Sequence, residues 1–272
     1  MSRYAAAFIL FLVVVGSPVR AAELQPRTIA AFDRYVRATE ARIQREVDSP
    51  SSFLFLDALP EKAKRTPFQE LREGRLIIER LHTRDRNKEI DVPDAMVHHW
   101  VGIVFVPGAT AEQAVALLQD YNRHAQLFSP AVDQSRILWR DGSDHFSVFL
   151  RFRMKKIIEA VVNTENDARF VRPAKDRVYS KIISTRVAQV ANPGTPDERE
   201  MAVGNDDGFM WRLNSYWRFI ERDGGTYIQC ESISLSRGIP LGLGWVIGPF
   251  VSSIPRESLT FMLEKTRSAL VR

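Results

Sequence analysis

Few side chains in this sequence have the type and setting that chemistry requires, and Glu231 is the foremost. It sits in the strand-like stretch 226–233. If Tyr227, Gln229, Glu231, Ile233 and Leu235 form the inward face of that strand, a carboxylate enters the interior. Desolvation there raises its pKa and suits it to hydrogen-bond a ligand or move a proton. If Ile228, Cys230 and Ser232 face inward instead, Glu231 is solvated; the aromatic and aliphatic weight of the first set favours the first arrangement. Arg186, in a strand over 178–190, is the conceivable partner of Glu231, and Tyr227 or Arg186 could polarise a carbonyl beside it.

Other chemistries find less support. His98 and His99 are adjacent, so on a strand they point to opposite faces and cannot hold one ion together. His82, His124 and His145 show no ligand spacing, and no metal or other cofactor is expected. Cys230 is the only cysteine, which excludes an intrachain disulfide and reads as a buried structural thiol. No serine sits in Gly-x-Ser-x-Gly. The glycines at 238, 242, 244 and 248 lack the Gly-Lys-Ser/Thr of a phosphate loop.

Residues suited to binding are more plentiful. Phe146, Val148, Leu150, Phe152 and Met154 alternate with Ser147, Arg151, Arg153 and Lys155, the dry and solvated faces of one strand. Trp211, Leu213, Ser215, Trp217 and Phe219 alternate with Arg212, Asn214, Tyr216 and Arg218. Leu150, Phe152, Trp211, Leu213 and Trp217 are therefore expected to line an apolar interior with Tyr227 and Glu231. The segment 238–251 joins four glycines to Trp245, Ile247 and Phe250, which suggests a mobile apolar lid touching the ligand. Pro249 and Pro255 should keep it from forming one regular helix.

These residues need elements to hold them. Apolar spacing predicts a helix over 26–47 on Ile29, Phe32, Val36, Ile43 and Val47, then a proline-broken connector with a short helix over 51–66. A first strand over 75–81 is followed by one over 98–106 with apolar residues on both faces. Thr110 and Gln113 form a capping box at the start of the next helix. Strands over 135–140, 145–155, 157–165, 178–190, 209–221 and 226–235 follow, with hairpin turns at 141–144 and 223–225. Leu259, Met262, Leu263, Thr266 and Leu270 make the stripe of a last helix.

The order strand, two helices, antiparallel meander and long final helix resembles the helix-grip fold of the START-like superfamily, also called SRPBCC or polyketide-cyclase-like. The motifs 213–219, 242–250 and 254–259 look like an exported bacterial branch of that superfamily. The resemblance covers roughly residues 98–272. It implies an α+β fold with a curved antiparallel sheet of about seven strands around the C-terminal helix, an apolar cavity between them, and carriers or cyclases among the relatives.

At the N-terminus, Arg3, the apolar run 5–16 and the small residues before Ala22 read as a signal peptide. Removal after Ala21 leaves 251 residues and takes Arg3 and Arg20 with it, lowering the formal charge from +5 to +3. A mildly basic chain with no basic cluster gives no support to nucleic-acid binding. The domain organisation expected is 1–21 signal peptide, 22–73 helical extension and 74–272 helix-grip domain. The function expected is binding or transport of an apolar small molecule or lipid in the cell envelope, periplasmic or extracellular, with transient membrane-surface contact; no protein partner is identified. The alternative is a cyclase, dehydratase or isomerase using Glu231, and a third reading makes the extension a docking element.

Overall fold

The computed structural model describes residues 22–155, 159–238 and 244–271, and the side chains among these outside 22 and 244–252. The expected signal peptide lies outside the described residues, as do 239–243 of the expected lid and the side chains of Trp245, Ile247 and Phe250.

Eight strands form one antiparallel sheet: β1 (Ile77–Arg80), β2 (Ala95–Pro107), β3 (Val132–Asp141), β4 (His145–Lys155), β5 (Glu159–Ala174), β6 (Arg177–Ala191), β7 (Arg212–Arg222) and β8 (Gly225–Arg237). Their order is β1-β2-β8-β7-β6-β5-β4-β3, and a two-residue strand at Arg199–Glu200 pairs with β6. The eight strands predicted from alternation and turn residues are therefore present. Its turns are chemically dictated: Asp223 and Gly224 both adopt positive φ, which closes the β7–β8 hairpin with the strands' own twist.

One face of the sheet, here called inner, carries α3 (Ala111–Gln119) and the final helix α4 (Gly244–Leu270). The capping box of Thr110 and Gln113 starts α3 as expected. Gly102 lets α4 approach: a Cβ there would stand 2.5 Å from Leu263 Cδ1. The helix runs through Pro249 and Pro255, correcting the expectation that they would prevent it. A proline removes one N–H and crowds the preceding turn, which burdens a helix without forbidding it. Together the elements make the α+β helix-grip arrangement.

The other, outer face is also covered, by α1 (Pro26–Asp48), the connector and α2 (Glu61–Arg72). Phe32, Tyr35, Ile43, Val47, Phe53, Leu54, Leu56 and Leu71 pack there on Ile103, Phe105, Tyr216, Ile220, Tyr227 and Ile233. The buried stripe of α1 includes Thr28, Tyr35 and Thr39 rather than Ile29 and Val36. Each of the three polar residues has a partner: Thr28 Oγ1 donates to Pro93 O, Thr39 Oγ1 to Tyr35 O, and Tyr35 Oη reaches His99. Among the described residues, no helix is long and apolar enough to cross a membrane.

Candidate functional site

The two faces of the central strands carry opposite chemistry. Register places Trp217, Cys230 and Gly102 side by side on the inner face, flanked by Phe219, Ile228 and Val104. Ser180, on β6 beside Trp217, and Phe146, Val148, Ala168 and Phe170 continue that face across the sheet. All are buried at the end of the face shared with α3 and with Leu259 and Leu263 of α4. Toward the other end the same face changes. Trp100, Leu150, Phe152, Ile182 and Leu213 are only half-buried, and the hydroxyls of Ser215, Ser232 and Ser234 stand among them on paired strands. His98 closes this end on the inner face, with Nε2 2.8 Å from Ser236 Oγ; burial and the charge of Arg80 push its pKa down to about 4, so it is neutral at neutral pH. The inner face is thus dry at one end and half-open, apolar with hydroxyls, at the other.

The outer face corrects the sequence reading of Glu231. Tyr227, Gln229, Glu231, Ile233 and Leu235 share a face as expected, but that face meets the N-terminal layer, while Ile228 and Cys230 pack on the α4 side. Nor is Glu231 solvated: it is 0% exposed. The alternation was legible, but both faces are covered, so polarity could not tell inner from outer.

A polar cluster surrounds the carboxylate. His99 Nε2 lies 2.7 Å from Glu231 Oε1, and Arg42 of α1 donates to the same oxygen. Arg218, fully buried on β7, has Nη2 2.7 Å from Glu46 Oε2 and 3.7 Å from Glu231 Oε2, while its Nη1 donates to Phe53 O at 2.7 Å. Tyr35 Oη is 2.9 Å from His99 Nδ1 and accepts from Thr83 N–H. Burial pushes the pKa of Glu231 up, but the hydrogen bond from His99 and the charges of His99, Arg42 and Arg218 outweigh it and hold it down to about 2. Both hydrogen bonds go to Oε1, while the buried Oε2 has only the charge of Arg218 at 3.7 Å; an ionised carboxylate held this way out of contact with solvent is a clamp, not a proton carrier. Gln229 adds to the same seam, accepting Phe55 N–H at 2.7 Å.

The remaining expected site residues separate. Leu150, Phe152, Leu213 and Trp217 share the inner face. Trp211 precedes β7 and turns to the outer cluster, where its indole N–H donates to Asp206 Oδ1 at 2.9 Å. Arg186 pairs with Glu200 and lies 3.9 Å from Glu165, so it does not partner Glu231. Tyr227 donates to Asp223 at 2.7 Å and packs on Phe68 and Phe105. On the β4 face expected to be solvated, Lys155 is exposed and Arg153 partly so, but Arg151 is buried by its paired bonds to Glu198 at 2.8 and 2.9 Å; on β7, Arg218 and Tyr216 lie under α1. A surface cleft of about 560 Å³ opens beside α2, but Lys64, Arg65, Arg72 and Arg222 stand there with Asp57, Glu61 and Asp223, and this mixture singles out no ligand charge. The hydroxyl row of Ser215, Ser232 and Ser234 was missed from the sequence; it was visible as serine at every second position of one strand, 232, 234 and 236.

No family model matches the chain, and no curated protein matches it in sequence. Solved structures are similar to it in outline. One is a STAR-related lipid transfer protein from Xanthomonas axonopodis, with 16% identity and a TM-score of 0.46 over 71% of this chain and 99% of that one. Another is a START superfamily protein from Mycobacterium smegmatis, with 13% identity and a TM-score of 0.39 over 65% and 96%. A third is the Zhui aromatase/cyclase from a Streptomyces species, with 15% identity and a TM-score of 0.41 over 64% and 94%.

Proposed function

We propose that this chain binds an apolar small molecule or lipid against the half-open end of its inner face, in the cell envelope. One observation carries the reading: on a face otherwise buried, Trp100, Leu150, Phe152 and Ile182 stay half-exposed around three serine hydroxyls. Apolar walls with a few placed polar groups suit a ligand that is mostly hydrocarbon with an oxygen function to orient. Transient contact with a membrane surface during loading belongs to the same proposal. The signal-peptide pattern of residues 1–21 supports the envelope location. The acid-base alternative loses its best residue, because Glu231 stands on the other face in a closed ion cluster.

The test is organic extraction of the protein purified from its native envelope, followed by mass spectrometry, together with uptake of a fluorescent lipid by the stripped protein. A co-purifying apolar molecule and saturable uptake are expected. An empty extract with no uptake would overturn the proposal.

A further inference from the structure

The first described residues pair with the fold at a place prepared for a charge. Ala22–Glu23 pairs antiparallel with Asn205–Asp206, with Ala22 directly opposite Asp206, and Leu24 N–H donates to Gly204 O at 2.7 Å. Asp206 is only 1% exposed. Its Oδ1 accepts Gly208 N–H at 2.7 Å and the Trp211 indole N–H at 2.9 Å, while its Oδ2 is buried without a hydrogen-bond partner. Burial and the like charge of Asp207 push the pKa of Asp206 up. A buried carboxylate oxygen without a donor is costly, so the site is incomplete as an ordinary peptide chain passes it. Opposite residues of an antiparallel pair stand about 4.5–5.5 Å apart at Cα, which brings the nitrogen of Ala22 within reach of the Asp206 side chain.

We propose that the chain is cut after Ala21 and that the α-ammonium created on Ala22 pairs with Asp206 Oδ2. The inference rests on the export reading of residues 1–21. A leader peptidase supplies the step: one water hydrolyses the Ala21–Ala22 peptide bond, leaving a carboxylate on Ala21 and an amine on Ala22 that takes up a proton. Where the amide offered one N–H, the ammonium offers three and a positive charge. Processing then completes the lock between the N-terminal strand, the 204–208 turn and Trp211.

The full chain is expressed with its leader in an exporting bacterial host, and the envelope protein is read by intact mass and N-terminal sequencing. Ala22 is the expected first residue. Protein beginning at Ala22 is then compared with protein carrying one extra Gly before it, each with and without Asp206→Asn. The extra residue alone should lower Tm by roughly 5 °C, a loss of the size expected for one partly buried ion pair in a chain of this length. Asp206→Asn should lower it comparably, and the two together no further. The advantage of the Ala22 form should fade above about pH 8, as the ammonium deprotonates. A retained leader or a different first residue would overturn the processing step. Ala22 as first residue with an unchanged Tm in the extended form, or with additive losses, would overturn the ion pair and leave export standing. The extended form keeps Asp206 intact, so the comparison survives even if Asp206→Asn fails to fold.

Discussion

Replacing Glu231 by Gln distinguishes a clamp from a catalytic or ligand-binding acid. In the wild type its pKa is held down to about 2, against an ordinary value of 4.5, so ionisation of this one group favours the folded state by roughly 3 kcal/mol at neutral pH. An independent route gives a similar size. Removing one partner of a buried ion pair costs about 3–5 kcal/mol, and the low end applies because Arg218 keeps Glu46 at 2.7 Å and Arg42 is 31% exposed and can rehydrate. For a chain of this length that predicts a fall in Tm of roughly 6–12 °C. The pH dependence has a definite sign. The folded pKa is depressed, so the stabilisation is present above the unfolded pKa near 4.5 and is lost as pH falls toward 2. Thermal denaturation of both proteins between pH 7 and pH 2 checks this: the gap in Tm should be widest at pH 7 and close across that window. Well below Tm, fluorescent-lipid uptake by Glu231→Gln should equal that of the wild type. An unchanged Tm with lost uptake would refute the reasoning and restore Glu231 to the binding site.

The other expectations concern the inner face and the turns. Phe152→Ala at the half-open end should lower lipid uptake with a modest loss of stability, whereas Trp217→Ala at the dry end should cost about 3–5 kcal/mol by chemical denaturation. Arg212→Ala, on the same strand at a partly exposed position, is the control and should leave both uptake and stability near wild type. Gly225→Ala should destabilise more than Gly102→Ala, since the new Cβ would meet Val106 backbone O at 2.3 Å in the first case and the tip of Leu263 at 2.5 Å in the second; equal denaturation midpoints would contradict this. Thr110→Ala should cost about 1 kcal/mol through loss of the bond from Gln113 N–H, measured in the same way.

The strand positions and hairpins were legible because turn residues and period-2 alternation are local signals. Which side of a strand faces which layer is not local. On β7, Trp217 and Phe219 read as interior, and so they are, but the Arg218 side is interior too. A charged residue on one face reads as solvent exposure when its partners, Glu46 and the Phe53 carbonyl, lie more than 160 residues away in sequence. Trp211 shows a second limit: it falls in phase with Trp217, yet β7 begins only at Arg212, so the alternation does not extend to it. The helix through Pro249 and Pro255 shows a third, since proline lowers helix propensity without deciding the outcome.

Covering both faces of the central strands has a mechanical consequence for the proposed ligand site. A sheet whose one face must remain partly open to admit a ligand loses packing there, and a single layer of helix would leave it weakly held. Here the loss is offset on the opposite face of the same strands. Arg42, Glu46 and Tyr35 of α1 fasten onto Arg218, Glu231 and His99, and these sit on β7, β8 and β2, the strands that carry Leu213, Ser215, Ser232, Ser234 and Trp100 on their other side. The direction of those side chains toward the half-open end depends on strand positions fixed from behind. Buried charges suit that task because ion pairs and hydrogen bonds fix geometry, whereas apolar contacts tolerate sliding. On the proposed function the N-terminal layer therefore supports the ligand site from behind, and loosening it should blunt uptake only when the sheet itself begins to yield.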